Sequence, residues 1–261
     1  MSVQSPQLLA LDFDGVICNG LVEYFKTTCR AYCKIWAQDS QYPTEGLAAS
    51  FFALRPVIET GWEMPVLLRA LIIGVPEQEI WQNWPQMAQQ ILATEKLNQH
   101  EVAHQLDSVR DNWIKNDLEN WLGLHQFYDG VITKLRSLLH NRDLQLYIVS
   151  TKEGRFIRQL LQQQGLELSS QAIIGKESQR PKYQTLKELI ARHSVDNQHV
   201  WFVEDRLKAL QAVKAQSNLE QVQLFLADWG YNTSQAQENA RQDQRIRLLS
   251  LQQFHGDFSA W

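Results

Sequence analysis

Hydrophobic positions change their spacing twice along the chain. Near the start, "LLAL" runs directly into Asp12-Phe13-Asp14-Gly15, which reads as a short buried strand delivering two carboxylates at its end. From about Leu21 to Leu124 apolar residues recur at helical spacing, as in Leu21, Phe25, Cys29, Tyr32 and Trp36, and later Val66, Leu67, Ala70 and Leu71. From Tyr128 onward, short β-prone runs take over: "LQLYIVS" to Ser150, "QAIIG" to Gly175, "HVWFVED" to Asp205, "VQLFLAD" to Asp228 and "RIRLLSL" to Leu251. Helix-like stretches at 131–139, 155–164, 181–192 and 207–215 precede or separate them.

Strands alternating with helices predict βαβ units and a parallel sheet, hence an α/β, Rossmann-like core. The simplest assembly places the first run in that sheet, so that residues 1–19 and 127–261 form the core and 20–126 are an inserted, all-helical cap. Gly20 and the Tyr128-Asp129-Gly130 turn are the expected points of exit and re-entry. Sheets of this kind gather their chemistry at the carboxyl ends of the strands, where Asp12, Ser150, Asp205 and Asp228 fall.

Composition narrows the partners. A hydrophobic fraction of 44% with 21% charged residues is that of a globular protein with a real core. The net charge of −4 argues against a broad basic face for nucleic acid. No run approaches the roughly 20 apolar residues of a membrane span. Met1–Gln7 lacks the basic flank of a signal peptide, so a cytoplasmic location is expected. Cys18, Cys29 and Cys33 are too few and too clustered for a disulfide framework, and Cys29 and Cys33 share a helical face with Phe25 and Trp36 as small core residues.

The chemistry-bearing residues fall in a fixed order: Asp12 and Asp14, Ser150, Lys182 at the start of a helix, then Glu204-Asp205 after "WFV". Two adjacent acids at the end of a buried run are costly unless paired or bound to a metal. Together these motifs resemble the haloacid dehalogenase-like superfamily, specifically its phosphatase branch. "LDFDGV" is similar to its first motif, "YIVST" to its second, a lysine before a helix to its third and "FVED" to its acidic fourth. The helical insertion between the first and second motifs resembles the family's cap in placement, as in phosphoglycolate phosphatase-like members, and "DWGYN" from Asp228 resembles a segment of the same members.

The resemblance implies a magnesium-dependent phosphatase acting on a small phosphorylated metabolite. Asp12 would be the nucleophile, forming an aspartyl-phosphate, and Asp14 the group that protonates the leaving oxygen and later deprotonates water. Mg2+, a hard cation that takes oxygen ligands, would be held by the Asp12 carboxylate, the Asp14 backbone carbonyl, Asp205 and Glu204. Ser150 and Lys182, helped by Thr151, would grip the phosphoryl oxygens. Lys176 in "IGKES" rivals Lys182, which is favoured because a helix amino end is itself an anion site. Lys152, beside the second motif, is a further cation for phosphate. Ala209 stands where many relatives carry another acid, which puts weight on Glu204. Asp14 separates the reading from the dehalogenases, which lack the second aspartate.

In the insertion, "ALRPVIETGWEMP" offers Arg55, Thr60 and Glu63 as residues that would read the substrate. His100-Glu101-Val102-Ala103-His104 matches the HExxH pattern of zinc proteases, but its surroundings are polar and no clear third ligand follows, so a solvated helix face is expected. A phosphomutase shares every core residue with a phosphatase, and a non-catalytic binding relative would keep only the fold. The motifs name neither the substrate nor the oligomeric state.

Overall fold

The computed structural model describes residues 5–36 and 45–261. Met1–Gln4 of the expected core segment and 37–44 of the expected cap lie outside the described residues. The described strands are β1 (Leu8–Leu11), β2 (Cys18–Asn19), β3 (Gln126–Phe127), β4 (Gln145–Val149), β5 (Ile173–Ile174), β6 (Val200–Glu204), β7 (Gln223–Ala227) and β8 (Ile246–Leu249). The chain divides into two compact units, one of 5–19 with 126–261 and one of 20–125.

In the first unit, six strands form one parallel sheet in the order β5-β4-β1-β6-β7-β8. Leu8, Leu9, Ala10 and Leu11 are all fully buried. That is why the first strand reads as a continuous apolar run rather than an alternating one: a central parallel strand is covered on both faces. One face packs Leu8, Ala10, Tyr147, Val149, Val200 and Phe202 against Leu186 and Leu189 of the helix Lys182–His193 and Leu210 and Val213 of the helix Leu207–Lys214. Full burial of each such aliphatic side chain is worth about 1.5–3 kcal/mol. Helices Val131–His140, Gly154–Gln163, Lys182–His193 and Leu207–Lys214 occupy the stretches where the sequence spacing expects them.

The order β4-β1-β6 decides where chemistry can occur. From β1 the chain goes first to β4 and β5 on one side and then to β6, β7 and β8 on the other. Strand order therefore reverses about β1, and the carboxyl ends of three neighbouring strands open into one crevice. Asp12, Ser150 and Glu204-Asp205 stand at those three ends.

The second unit is helical. Its longer helices are Leu21–Ile35, Glu63–Ile72, Glu77–Thr94 and Gln99–Asn116, with shorter ones at Ala48–Leu54 and Leu118–Leu122. Cys29 is buried on the first of them, and burial pushes its thiol up to about 12. The helix Glu77–Thr94 carries Pro85, which lacks an amide, and the backbone breaks from helical geometry at Asn83. No helix of the described residues is long and apolar enough to cross a membrane.

Candidate active site

The first-motif residues sit just past β1, not on it. The Asp12 amide donates to Val203 O at 2.9 Å, extending the β1–β6 ladder by one residue. The backbone then turns: Ile17 and Cys18 N–H both donate to Phe13 O, Gly15 N–H donates to Cys18 O, and Gly15 adopts a φ of +88°. Strand alternation therefore does not set the facing of Asp14; this turn does. Glycine is required at 15 on a second ground, because a Cβ there would lie 2.2 Å from Asp205 Oδ2.

Four of the expected site residues converge. Lys182 Nζ, on the first residue of its helix, lies 2.9 Å from Asp12 Oδ1 and 2.5 Å from Glu204 Oε2. Asp12, Glu204 and Asp205 are buried, and each offers a carboxylate oxygen within 4.8 Å of the others. Burial, reinforced by Glu204, raises the Asp12 carboxyl to about 7 despite Lys182. Burial also raises Glu204, with Asp205 adding to it, and raises Asp205, with Asp12 adding to it. Burial alone would lower Lys182, but Asp12 and Glu204 more than reverse it and hold it above the usual lysine range. Lys182 thus serves Asp12 and Glu204, and the charge of Arg206 partly offsets Asp205, yet all three carboxyls stay raised, which is the electrostatic signature of the site.

The remaining core residues are distributed around this cluster. Ser150 is buried at the end of β4, its amide donating to Ile174 O, and Thr151 beside it is exposed. Of the two rival lysines, Lys182 is the one whose ammonium reaches Asp12. Lys176 is exposed in a short 3-10 turn, and its amide donates to Lys152 O. Lys152 turns to Asp14, with Nζ at 3.3 Å from each carboxylate oxygen. Ala209 is half-buried on the helix Leu207–Lys214 and adds no acid to the cluster.

Asp205 is held by a loop whose function is not legible in the sequence. Tyr231 N–H donates to Asp205 Oδ2 at 2.8 Å, and Asn232 Nδ2 donates to Asp205 O at 3.2 Å and to Ala227 O at 2.7 Å. Trp229 Nε1 donates to Val16 O, and the Tyr231 hydroxyl to Asn19 Oδ1, tying the same loop to the first-motif turn. A Cβ on Gly230 would lie 2.3 Å from Asp205 Cβ and 2.5 Å from Gly15 O. A glycine flanked by aromatics in "DWGYN" is the only trace of this clamp in the sequence.

In the helical unit, the residues expected to read a substrate are engaged within the fold. Glu63 is buried; its Oε1 accepts the Thr60 amide and hydroxyl, and its Oε2 accepts the Glu59 amide and, at 2.7 Å, the Trp84 indole N–H. Thr60 and Glu63 thereby close the start of the helix Glu63–Ile72. Arg55 donates to Ile58 O and lies over the Tyr24 ring. The HExxH segment resolves in the same way: Asn98 Oδ1 accepts the Glu101 amide while Glu101 Oε2 accepts the Asn98 amide, a reciprocal cap. His100 and His104 are exposed.

Residues 72–218, more than half of the chain, match the family model described as haloacid dehalogenase-like hydrolase. The chain belongs to that family. The matched stretch contains Ser150, Lys182, Glu204 and Asp205 and begins after Asp12 and Asp14. No curated protein matches the chain. Solved structures of similar fold include a predicted phosphatase from Clostridium acetobutylicum, with TM-score 0.59 and 13% identity over 96% of this chain and 97% of that one. A hydrolase of the haloacid dehalogenase-like family from Streptococcus pneumoniae gives TM-score 0.57 and 13% identity over 94% of each chain. A predicted phosphoglycolate phosphatase from Haemophilus somnus gives TM-score 0.57 and 14% identity over 95% of each chain. At these identities the likeness to solved structures is one of fold.

Proposed function

We propose that this hydrolase is a magnesium-dependent phosphatase acting on a small phosphorylated metabolite through an aspartyl-phosphate. The observation that carries the reading is the buried Asp12 carboxylate in contact with Lys182, beside two further buried acids and two residues before Asp14. The names of similar folds, a phosphatase and a phosphoglycolate phosphatase among them, agree with it.

A phosphate monoester repels nucleophiles through its negative oxygens, so the site must supply cationic charge, an aligned attacking atom and a proton for the leaving oxygen. Asp12 attacks phosphorus through a carboxylate oxygen; the bond to the ester oxygen breaks, and Asp14 gives that oxygen its proton. A water then attacks the aspartyl-phosphate, Asp14 takes the water's proton, and cleavage of the bond to Asp12 releases phosphate and restores the carboxylate. Lys182, with Ser150 and Thr151, would hold the phosphoryl oxygens, and Lys182 also opposes part of the rise that burial imposes on Asp12.

The residues fit a hard divalent cation. Three buried carboxylates lie with oxygens within 4.8 Å of one another, their carboxyls stay raised despite Lys182 and Arg206, and all the ligand atoms they offer are oxygen. Asp12, Glu204 and Asp205, with the Asp14 backbone carbonyl, would hold magnesium. When bound, it supplies positive charge that neutralises the phosphoryl oxygens as charge shifts in the transition state.

Turnover of p-nitrophenyl phosphate with magnesium is the test. We expect phosphate release by the wild type and a loss of about a thousandfold or more in Asp12→Asn, which keeps the shape and removes the nucleophile. Undiminished turnover in Asp12→Asn sinks the assignment. A panel of phosphorylated metabolites would then rank the substrates.

A further inference from the structure

The reaction above uses Asp14 twice, and a group that both gives and takes a proton must be held in one orientation throughout. The contact that does this comes from outside the four motifs. Lys152 Nζ sits 3.3 Å from both Asp14 oxygens, and its side chain is 9% exposed against 20% for Asp14. An ammonium so nearly desolvated needs an anionic partner. Placed symmetrically between the two oxygens, it fixes the rotation of the carboxylate as well as its position.

The backbone around Lys152 is pinned from several directions. Its amide donates to Ser150 Oγ at 3.3 Å, and its carbonyl accepts the Lys176 amide at 3.0 Å. Gly154 N–H donates to Glu177 Oε2 at 3.0 Å. A Cβ on Gly175 would lie 2.6 Å from Lys152 O and 2.4 Å from Gly154 N, so glycine alone allows β5 to approach this closely. "GKES" thus acts as a brace for the turn that presents Lys152, while the Gly15 turn presents Asp14.

We propose that Lys152 is a positioning residue for Asp14, orienting its carboxyl toward the leaving oxygen of the phosphoester. The proposal rests on the reading of Asp14 as the proton carrier. It assigns Lys152 no direct grip on phosphate, which separates it from Lys182.

The test compares two aryl phosphates of similar size whose leaving groups differ in basicity. Phenolate needs a proton as it departs; p-nitrophenolate needs it far less. In Lys152→Met, kcat/KM should fall about tenfold or more with phenyl phosphate and less than about threefold with p-nitrophenyl phosphate. Lys152→Arg should recover most of the loss. In an Asp14→Asn background, Lys152→Met should cost less than about twofold, because the residue it positions is gone. Equal losses on both substrates, or the same loss with Asp14→Asn present, would falsify the positioning role and point to a direct phosphate contact. A crystal structure of Lys152→Met supplies a readout independent of turnover. The Asp14 carboxylate is expected to rotate away from its present orientation, and an unmoved Asp14 overturns the proposal. Failure here is distinguishable from failure of the phosphatase reading: an active wild type with a dead Asp12→Asn variant and an additive Lys152 effect removes only Lys152.

Discussion

The two units of this hydrolase bury acidic residues in opposite ways. In the helical unit, Glu23 is 1% exposed and its Oε1 alone accepts the Thr27 hydroxyl, the Arg110 guanidinium and the Trp121 indole, at 2.6, 2.9 and 3.0 Å. Glu63 is matched just as fully, by two amides, a hydroxyl and an indole. Each buried acid there has donors of its own. In the sheet unit, Asp12, Glu204 and Asp205 are buried together, Lys182 contacts Asp12 and Glu204, the Tyr231 amide and the Arg206 charge serve Asp205, and burial with mutual repulsion still raises all three. A buried charge with a complete set of partners holds a fold together. Buried charges crowded against one another hold their protons more tightly, a strain that a bound cation would relieve and that is common at functional sites.

Breaking a satisfied acid should give the largest effect on stability. Glu63→Ala leaves the Trp84 indole, the Glu59 and Thr60 amides and the Thr60 hydroxyl without their acceptor, and we expect a loss of about 2–4 kcal/mol in chemical denaturation. A loss below 1 kcal/mol, roughly the cost of an ordinary helix cap, would mean that the network is replaced by water.

A smaller effect is expected where the sheet unit holds an acid in place. Gly230→Ala would put a methyl against Asp205 Cβ and the Gly15 carbonyl, and backbone cannot yield as a side-chain tip can. The magnesium concentration for half-maximal phosphatase rate should rise by about tenfold, as when an outer-shell support is lost. Gly74→Ala is the control: its φ is +80° with nothing within 4 Å of the added Cβ, so it should cost some stability and leave magnesium dependence alone.

The smallest effect sharpens the contrast through pH. The Asp12 carboxyl moves from an ordinary 3.8 to about 7 on folding, so the folded protein binds the extra proton. Its contribution to stability is complete below the ordinary value and is lost as pH rises through the folded one. Asparagine at that position does not ionise and escapes the loss. Asp12→Asn should therefore melt a few degrees higher relative to wild type at about pH 8 than at about pH 5 in metal-free buffer, and magnesium should shrink the difference. An identical offset at both pH values would show that Asp12 is not raised.

Much of this was legible without coordinates, for reasons that differ by element. The central strand was readable because burial on both faces demands an unbroken apolar run, and Leu8 to Leu11 supply one. The core helices were readable because the spacing of Leu186 and Leu189, or Leu210 and Val213, is set by the one face each helix buries. Asp12, Ser150 and Glu204-Asp205 were readable because strand ends are marked by the abrupt change from apolar to polar, and Lys182 because it follows Pro181 at a helix start. In the helical unit the sequence left two readings open: Thr60 and Glu63 lie three apart before an apolar run, which is also the pattern of a helix start, and in the structure they hydrogen-bond to each other there. His100 and His104 matched a metal motif by spacing alone, while Asn98 and Glu101 show that the segment begins a helix.

What the sequence alone determined is whatever depends on neighbours along the chain: period, burial of whole runs, and the residue types standing at strand ends. Only the tertiary structure decided which lysine reaches which acid. Lys182 and Asp12 are 170 residues apart and Lys152 and Asp14 are 138; a helix start favoured Lys182 over Lys176, but nothing local paired either Lys182 or Lys152 with its acid. Parallel strands bring distant segments side by side, and the reversal of strand order about β1 selects which ends share a crevice. The glycines at 15, 175 and 230 belong to the same class: each is required by an atom far away in sequence that approaches too closely for a side chain.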